Sequence, residues 1–302
     1  MAGPDAAGGC DPDRQLCPAG AGRAARLPVR TTPELVRFPM RLQPDPARSS
    51  DEKSGIFRMP WRNPDNPRGT ALPRERMDMK EPYRGILQRD GKSRAIVTRI
   101  PAGVVTLDDL EKIARTARKY RVPVMKITSG QRILLAGIEP EEVPRITGEL
   151  GTLTKPETEP CVRFVQACPG TDISRFGNQD SIVLAKAVDK QFAAQAFPAK
   201  IKIGISGCPR CCGESHTRDI GIMGSNKGWT VIFGGNNGTR PRFGDVIVKD
   251  LSAGEVQDCI QRLAEYYRSH AKPHERTARF VERVGIETIK GELLPLMPYV
   301  VM

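Results

Sequence analysis

Four cysteines carry the chemistry that the sequence advertises most openly: Cys168, Cys208, Cys211 and Cys212. The last three fall in a turn, Ser206-Gly207-Cys208-Pro209-Arg210-Cys211-Cys212-Gly213, that follows an alternating, strand-like stretch. Thiolates are soft ligands, suited to iron–sulfur clusters and to structural zinc. Cys208 and Cys211 have the C-x2-C spacing of half a zinc site, but there is no second such pair. His216, His270 and His274 do not complete a two-Cys, two-His set. Iron–sulfur, zinc and plain structural thiols therefore all stand as readings of the spacing, with iron–sulfur favoured. Cys161, seven residues before Cys168, lies near the group. Cys259, beside Ile260 and Leu263 in a helical pattern, reads as a buried structural thiol.

Charge adds a second clue. The 302 residues hold 47 Lys and Arg against 35 Asp and Glu, a formal net charge of +12. That balance suits an acidic cofactor, an anionic substrate, an acidic partner or nucleic acid. Aromatics are only 5% and the charges form no single block, which weighs against nucleic acid. Lys200 and Lys202 alternate on KIKIGI, so a strand would point both to one face, beside the cysteine turn.

These residues need elements to place them. Residues 94–100 read as a strand, and Thr106 with Asp109 as a capping box opening a helix over 107–120. Residues 123–128 and 132–138 read as strands joined at Ser129-Gly130, and a second helix starts near Pro140. The order β-α-β-β-α predicts an α+β sandwich with helices on one face of an antiparallel sheet. Residues 151–160 form a polar linker. Beyond it come a helix over 181–195, strands over 200–205, 219–223 and 229–233, a loop at 233–238 and helices over 252–269 and 274–284. Residues 1–80 hold 12 of the 26 prolines and lack periodicity, so 1–83 reads as an irregular Pro/Arg-rich arm. It carries Cys10 and Cys17, whose spacing matches no common zinc pair, and an apolar stretch, 56–62, able to dock on the body. No run of 18 apolar residues and no apolar signal core occur, so a cytoplasmic chain with reduced cysteines and no membrane span is expected.

Residues 126–138 (KITSGQRILLAGI), 163–181 (RFVQACPGTDISRFGNQDS) and 200–214 (KIKIGISGCPRCCGE) together resemble the siroheme and [4Fe–4S] nitrite/sulfite reductases, most of all the C-terminal reductase part of the NADH-dependent nitrite reductase large subunits. The resemblance covers about 84–290. It implies an α+β chain with a ferredoxin-like half-domain over 84–152 and a siroheme and iron–sulfur domain over 153–302. In that family the ligands are arranged C-x5-C and C-x3-C. Cys208 and Cys212 match the second pair and Cys168 the first member of the other, but the fourth position is Ser174. Ser174 itself, Cys161 or Cys211 are then the candidates for the fourth ligand.

The same resemblance makes Cys212 the bridge between cluster and haem iron. It turns Lys200, Lys202, Arg132 and Arg163 toward a small anionic substrate, nitrite or sulfite. It assigns Gln131, Arg132, Arg175, Gly234, Gly235, Asn236 and Gly238 to the tetrapyrrole and its eight carboxylates. A glycine-lined loop of that kind is otherwise read as an ordinary hairpin. No G-x-G-x-x-G precedes a helix, so electrons are expected from a separate donor such as ferredoxin or a flavoprotein subunit. The family commonly has two half-repeats, so a homodimer or a partner reductase subunit is expected to supply the other. The alternative reading is a non-catalytic redox or tetrapyrrole-binding relative, marked by Ser174.

Overall fold

The structure is a computed structural model that describes residues 85–154, 160–193 and 195–299 of the chain. The expected arm, with Cys10, Cys17 and residues 56–62, lies outside the described residues.

The first half is built as its apolar spacing demands. Strands β1 (Ile86–Leu87), β2 (Arg94–Val97), β3 (Val124–Ile127) and β4 (Ile133–Ile138) form an antiparallel sheet in the order β1-β2-β4-β3. Helix α1 (Leu107–Lys119) opens on the full capping box, the Thr106 side chain accepting from Asp109 N–H and the Asp109 carboxylate accepting from Thr106 N–H. Helix α2 (Val143–Leu150) follows a short turn at Pro140. Ile113 and Ala117 of α1 and Val143, Ile146 and Leu150 of α2 bury against Ile96, Leu135 and Ile138 of the sheet. Strand β2 is shorter than expected. The chain leaves the sheet at Thr98 and turns at Pro101, whose ring supplies no N–H.

The second half is a five-stranded mixed sheet in the order β5-β6-β7-β8-β9. Its strands are β5 (Val162–Ala167), β6 (Ile201–Ser206), β7 (Ile220–Ser225), β8 (Gly228–Phe233) and β9 (Asp245–Leu251). β5, β6 and β7 are parallel, and β8 and β9 return antiparallel. A single turn, α3 (Gly170–Ile173), and helix α4 (Ser181–Gln191) cross from β5 to β6. Helices α5 (Ala253–His270), α6 (Thr277–Val284) and α7 (Ile286–Leu293) end the fold. Ile201, Ile203 and Ile205 of β6 and Ile220 and Ile222 of β7 bury among α4 and α5 residues such as Leu184, Val188, Val256 and Leu263. The alternate residues Lys202, Gly204 and Ser206 therefore look to the other face. That two-faced β6 fixes where the chemistry goes.

The α+β class, the two helices on one sheet face and the strand leading into the cysteine turn agree with the sequence. Strands β1, β5 and β9 and helix α7 went unread.

Candidate redox centre and cationic face

Parallel neighbours end at the same edge of a sheet, and that edge gathers the sulfur. Cys168 leaves β5 and Cys208 leaves β6 two residues past its end, both at the carboxyl end where α/β sheets bind ligands. Cys168 N–H donates to Ile205 O at 3.1 Å, and Gly207 N–H donates to Cys168 Sγ at 3.0 Å. The Ser181 hydroxyl, at the start of α4, donates to Cys168 O at 2.7 Å. Asn178 and Gln179 N–H both donate to Gly207 O at 2.9 Å, which ties the loop after Cys168 to the loop before Cys208. Cys168 and Cys208 are buried, Cys211 is half-buried and Cys212 is exposed.

The cysteine turn doubles back over the sheet. Cys211 and Glu214 take left-handed φ values of 59° and 57°. The returning segment lies flat on β6 and β7. A Cβ on Gly204 would stand 2.3 Å from Gly213 O, and one on Gly221 would stand 1.8 Å from Ser215 O. Only glycine admits that approach.

On this face stands a group of cations. Phe164 of β5 is the register partner of Lys202 on β6, and Arg163, between Val162 and Phe164, is the extra residue of a β-bulge. Arg132, Lys202 and Arg218 place their charges 5.4, 5.8 and 5.3 Å from the centroid of the Phe164 ring. Arg218 is 3% exposed; it donates to Gln166 Oε1 at 2.7 Å and pairs with Glu214 at 2.6 Å. Beneath Lys202, buried Asp219 accepts from Lys202 N–H at 2.9 Å, from Thr277 Oγ1 at 2.7 Å and from Arg276, which reaches both carboxylate oxygens. Burial holds the Lys202 amine below the ordinary lysine value. Lys200, Arg218 and Arg276 push it further down, and Asp219 opposes them.

The remaining expected site residues divide. Arg175 is exposed, its guanidinium 4.7 Å from the Phe176 ring centroid, and Arg210 of the cysteine turn lies 3.8 Å from the same centroid. Gly234 and Gly235 pack on the 216–219 segment, Gly234 N–H donating to Asp219 O at 3.0 Å. Asn236 pairs with Arg242 through both backbone groups, and its side-chain amide donates to Arg240 O at 2.7 Å, so it closes its own hairpin; Gly238 lies exposed in that hairpin.

Gln131 spends both ends of its amide on one residue: Nε2 donates to Ala167 O at 2.7 Å and Oε1 accepts from Ala167 N–H at 3.0 Å. It pins the strand end before Cys168. Cys161 sits before β5, bridged to Ala196, at the far end from Cys168. Six strand residues lie between them, ~20 Å of chain, which removes Cys161 from the fourth-ligand candidates. Ser174 is half-buried at the end of α3, and its hydroxyl oxygen accepts from Phe176 N–H at 3.3 Å. Phe164, Gln166, Arg218 and Asp219 were missed. RFVQA carries no clean alternation to mark a strand, and nothing in the sequence pairs Asp219 with Arg276.

The residues present suit a cluster and an anionic cofactor. Among the described residues no three His, Cys, Asp or Glu side chains converge on a single ion, whereas a cubane distributes its cysteine ligands over separate irons. The Gly207 N–H aimed at the Cys168 sulfur is the kind of donor that cluster-bound cysteine sulfurs accept from. Arg218 Nε is buried with no hydrogen-bond partner among the described residues, a donor that an anionic group on this face would satisfy.

An edge of cysteine sulfurs under a cationic face defines an iron–sulfur oxidoreductase. The family described as nitrite/sulfite reductase ferredoxin-like half domain matches residues 86–153, and the nitrite and sulphite reductase 4Fe-4S domain matches residues 158–298. The chain belongs to the nitrite and sulfite reductase family, whose cofactors are siroheme and a [4Fe–4S] cluster. It is 48% identical to the assimilatory-type sulfite reductase of Nitratidesulfovibrio vulgaris, over 71% of this chain and 98% of the relative. It is 38% identical to the NAD(P)H nitrite reductase of Bacillus subtilis, over 68% of this chain but only 26% of that protein. The chain thus spans nearly all of the first relative and about a quarter of the second. In fold it is similar to the Mycobacterium tuberculosis NirA protein, with TM-score 0.60 and 19% identity over 68% of this chain and 40% of NirA. It also matches dissimilatory sulfite reductase I, with TM-score 0.61 and 14% identity over 70% of each chain. No described helix is long and apolar enough to cross a membrane.

Proposed function

We propose that this chain reduces sulfite to sulfide, consuming six electrons and six protons and releasing three waters, with nitrite as the second anion the same face would accept. The observation that carries the reading is the register of β5 and β6: it sets Lys202 against Phe164, and the same two strands run on to Cys168 and Cys208. The 48% identity to a sulfite reductase matched over 98% of its own length supports sulfite over nitrite.

Cys168, Cys208 and Cys212 would hold the cluster, with Ser174 or Cys211 at the fourth iron. Siroheme, when bound, supplies the iron at which the anion is reduced. The chain's own part is electrostatic. Lys202, Lys200, Arg132 and Arg163 neutralise the anion, and the Lys202 ammonium hands protons to oxygens that depart as water. Arg175 and the 234–238 loop are the remaining candidates to face the tetrapyrrole. The ferredoxin-like half, 84–152, carries Arg132 to the face, and 153–302 carries the cofactors.

Electrons would come from a separate acidic carrier. Exposed Ile173 and Phe176, with the Arg175 and Arg210 charges near the Phe176 ring, lie beside the cysteine turn where such a carrier would approach. A second copy of the chain or a partner reductase subunit would supply the other half-repeat.

The test is anaerobic purification with siroheme, iron and sulfide, followed by dye-driven turnover with sulfide measured directly. Haem and cluster bands with sulfide production support the reading. A fully loaded protein that makes neither sulfide nor ammonium overturns it.

A further inference from the structure

We propose that Phe164 is a positioning residue whose ring gathers Arg132 and Lys202, against buried Arg218, into a single anion-binding group. The inference rests on the reading of this face as the substrate site. Three cations lie within 6 Å of one ring centroid. They come from three places in the chain: the β3–β4 hairpin, β6 and the segment after the cysteine turn. Arg218 also pairs with the Glu214 carboxylate at 2.6 Å. Like charges so gathered repel. The negative π-face of an aromatic ring offsets that repulsion without neutralising the cations, as a carboxylate would.

The ring is also held in place. A Cβ on Gly130, at the hairpin tip, would fall 2.8 Å from a Phe164 ring atom, so hairpin backbone lies flat against it. The bulge at Arg163 sets the ring over Lys202. Gln166, two residues on along the same strand, fixes Arg218 from the other side. Phe164 acts through the cations around its ring, so its effect should appear in anion affinity.

The experiment uses the holoenzyme with Phe164→Leu, Phe164→Tyr, and a series of increasingly fluorinated phenylalanines placed at 164. Fluorination removes the negative face while nearly keeping the shape, so this series stands even where Phe164→Leu fails to fold. Sulfite affinity is read from the siroheme absorbance of the oxidised protein. Carbon monoxide binding to the reduced protein is the uncharged control. Sulfite should bind about tenfold more weakly in Phe164→Leu, progressively more weakly along the fluorinated series, and about as in the parent in Phe164→Tyr. Carbon monoxide affinity should not move. A flat fluorinated series, or equal weakening of sulfite and carbon monoxide, overturns the proposal. A loaded parent that binds carbon monoxide but no sulfite overturns instead the substrate reading beneath it.

Discussion

The Gly207 N–H, just past β6, donates to the Cys168 sulfur, just past β5, at 3.0 Å. The bond spans two parallel strands and fixes where the Cys168 sulfur sits at the sheet edge. Cys259 makes the contrast. It is buried on α5, and burial pushes its thiol up to about 12, so it stays protonated at neutral pH. Cys168→Ala should therefore abolish most of the bound iron and the cluster signal in electron paramagnetic resonance. Cys259→Ala should keep both and cost only about 1–2 kcal/mol of stability through a small cavity. Equal iron in the two variants would remove Cys168 from the ligand set.

Gln131 holds the other side of the same strand end. Its amide imitates a strand partner for Ala167 and so ties the β3–β4 hairpin to β5. Gln131→Ala leaves an N–H and a C=O to find water, a loss of about 2 kcal/mol, read as a lower urea midpoint at unchanged slope. Gln131→Glu keeps the acceptor but sets a carboxylate oxygen against the Ala167 carbonyl. It should be no more stable than the alanine variant. If both match the parent, the clamp contributes nothing.

What could be read from the sequence follows from which interactions are local. The capping box of α1 lies within four residues and was legible as Thr106-x-x-Asp109. The alternation of β6 gave the face of Lys202, and the cysteine turn gave the chemistry. The five strands of the second sheet were only partly legible. β5 is buried on both faces at Val165, Gln166 and Ala167 and carries a bulge, so VRFVQA lacks clean alternation. The Asp219–Arg276 pair joins positions 57 apart, and nothing local marks it. Gln131 was assigned to the cofactor by the resemblance of its motif alone. That it bonds backbone across the two sheets is a tertiary fact.

Ser174 and Cys211 compete for the fourth iron. Ser174 ends α3 at the C-x5-C position, with its oxygen already accepting from Phe176 N–H. Cys211 sits between Cys208 and Cys212 in a left-handed conformation, φ 59°, its N–H donating to Cys208 O at 3.3 Å. Two neighbouring residues facing one cubane strain the backbone, so Ser174 is the better placed. Ser174→Cys should raise the iron retained after exposure to air and shift the cluster's resonance signal, because a thiolate is the softer ligand. Cys211→Ala should leave iron content within error of the parent. The reverse pattern assigns the fourth iron to Cys211.

The Lys202 amine gives a pH prediction with two opposed controls. Only its ammonium form attracts sulfite, so affinity should fall as pH rises through its pKa. Burial and the cations Lys200, Arg218 and Arg276 hold that value below the ordinary lysine pKa, about 10.4. The decline should therefore begin at lower pH than an exposed lysine would give. Lys200→Met removes a like charge, so the Lys202 value rises and the decline moves to higher pH, although overall affinity falls. Asp219→Asn removes the one carboxylate that opposes the depression, and the decline moves to lower pH. Breaking that buried pair with Arg276 also costs about 3–5 kcal/mol, so each profile is taken below the variant's own melting temperature. Folding responds in the opposite sense. Between the depressed value and the ordinary one the folded chain binds fewer protons than the unfolded, so this group makes stability rise with pH while sulfite affinity falls. Profiles of the two variants displaced in the same direction would show that Lys202 is not the group that titrates.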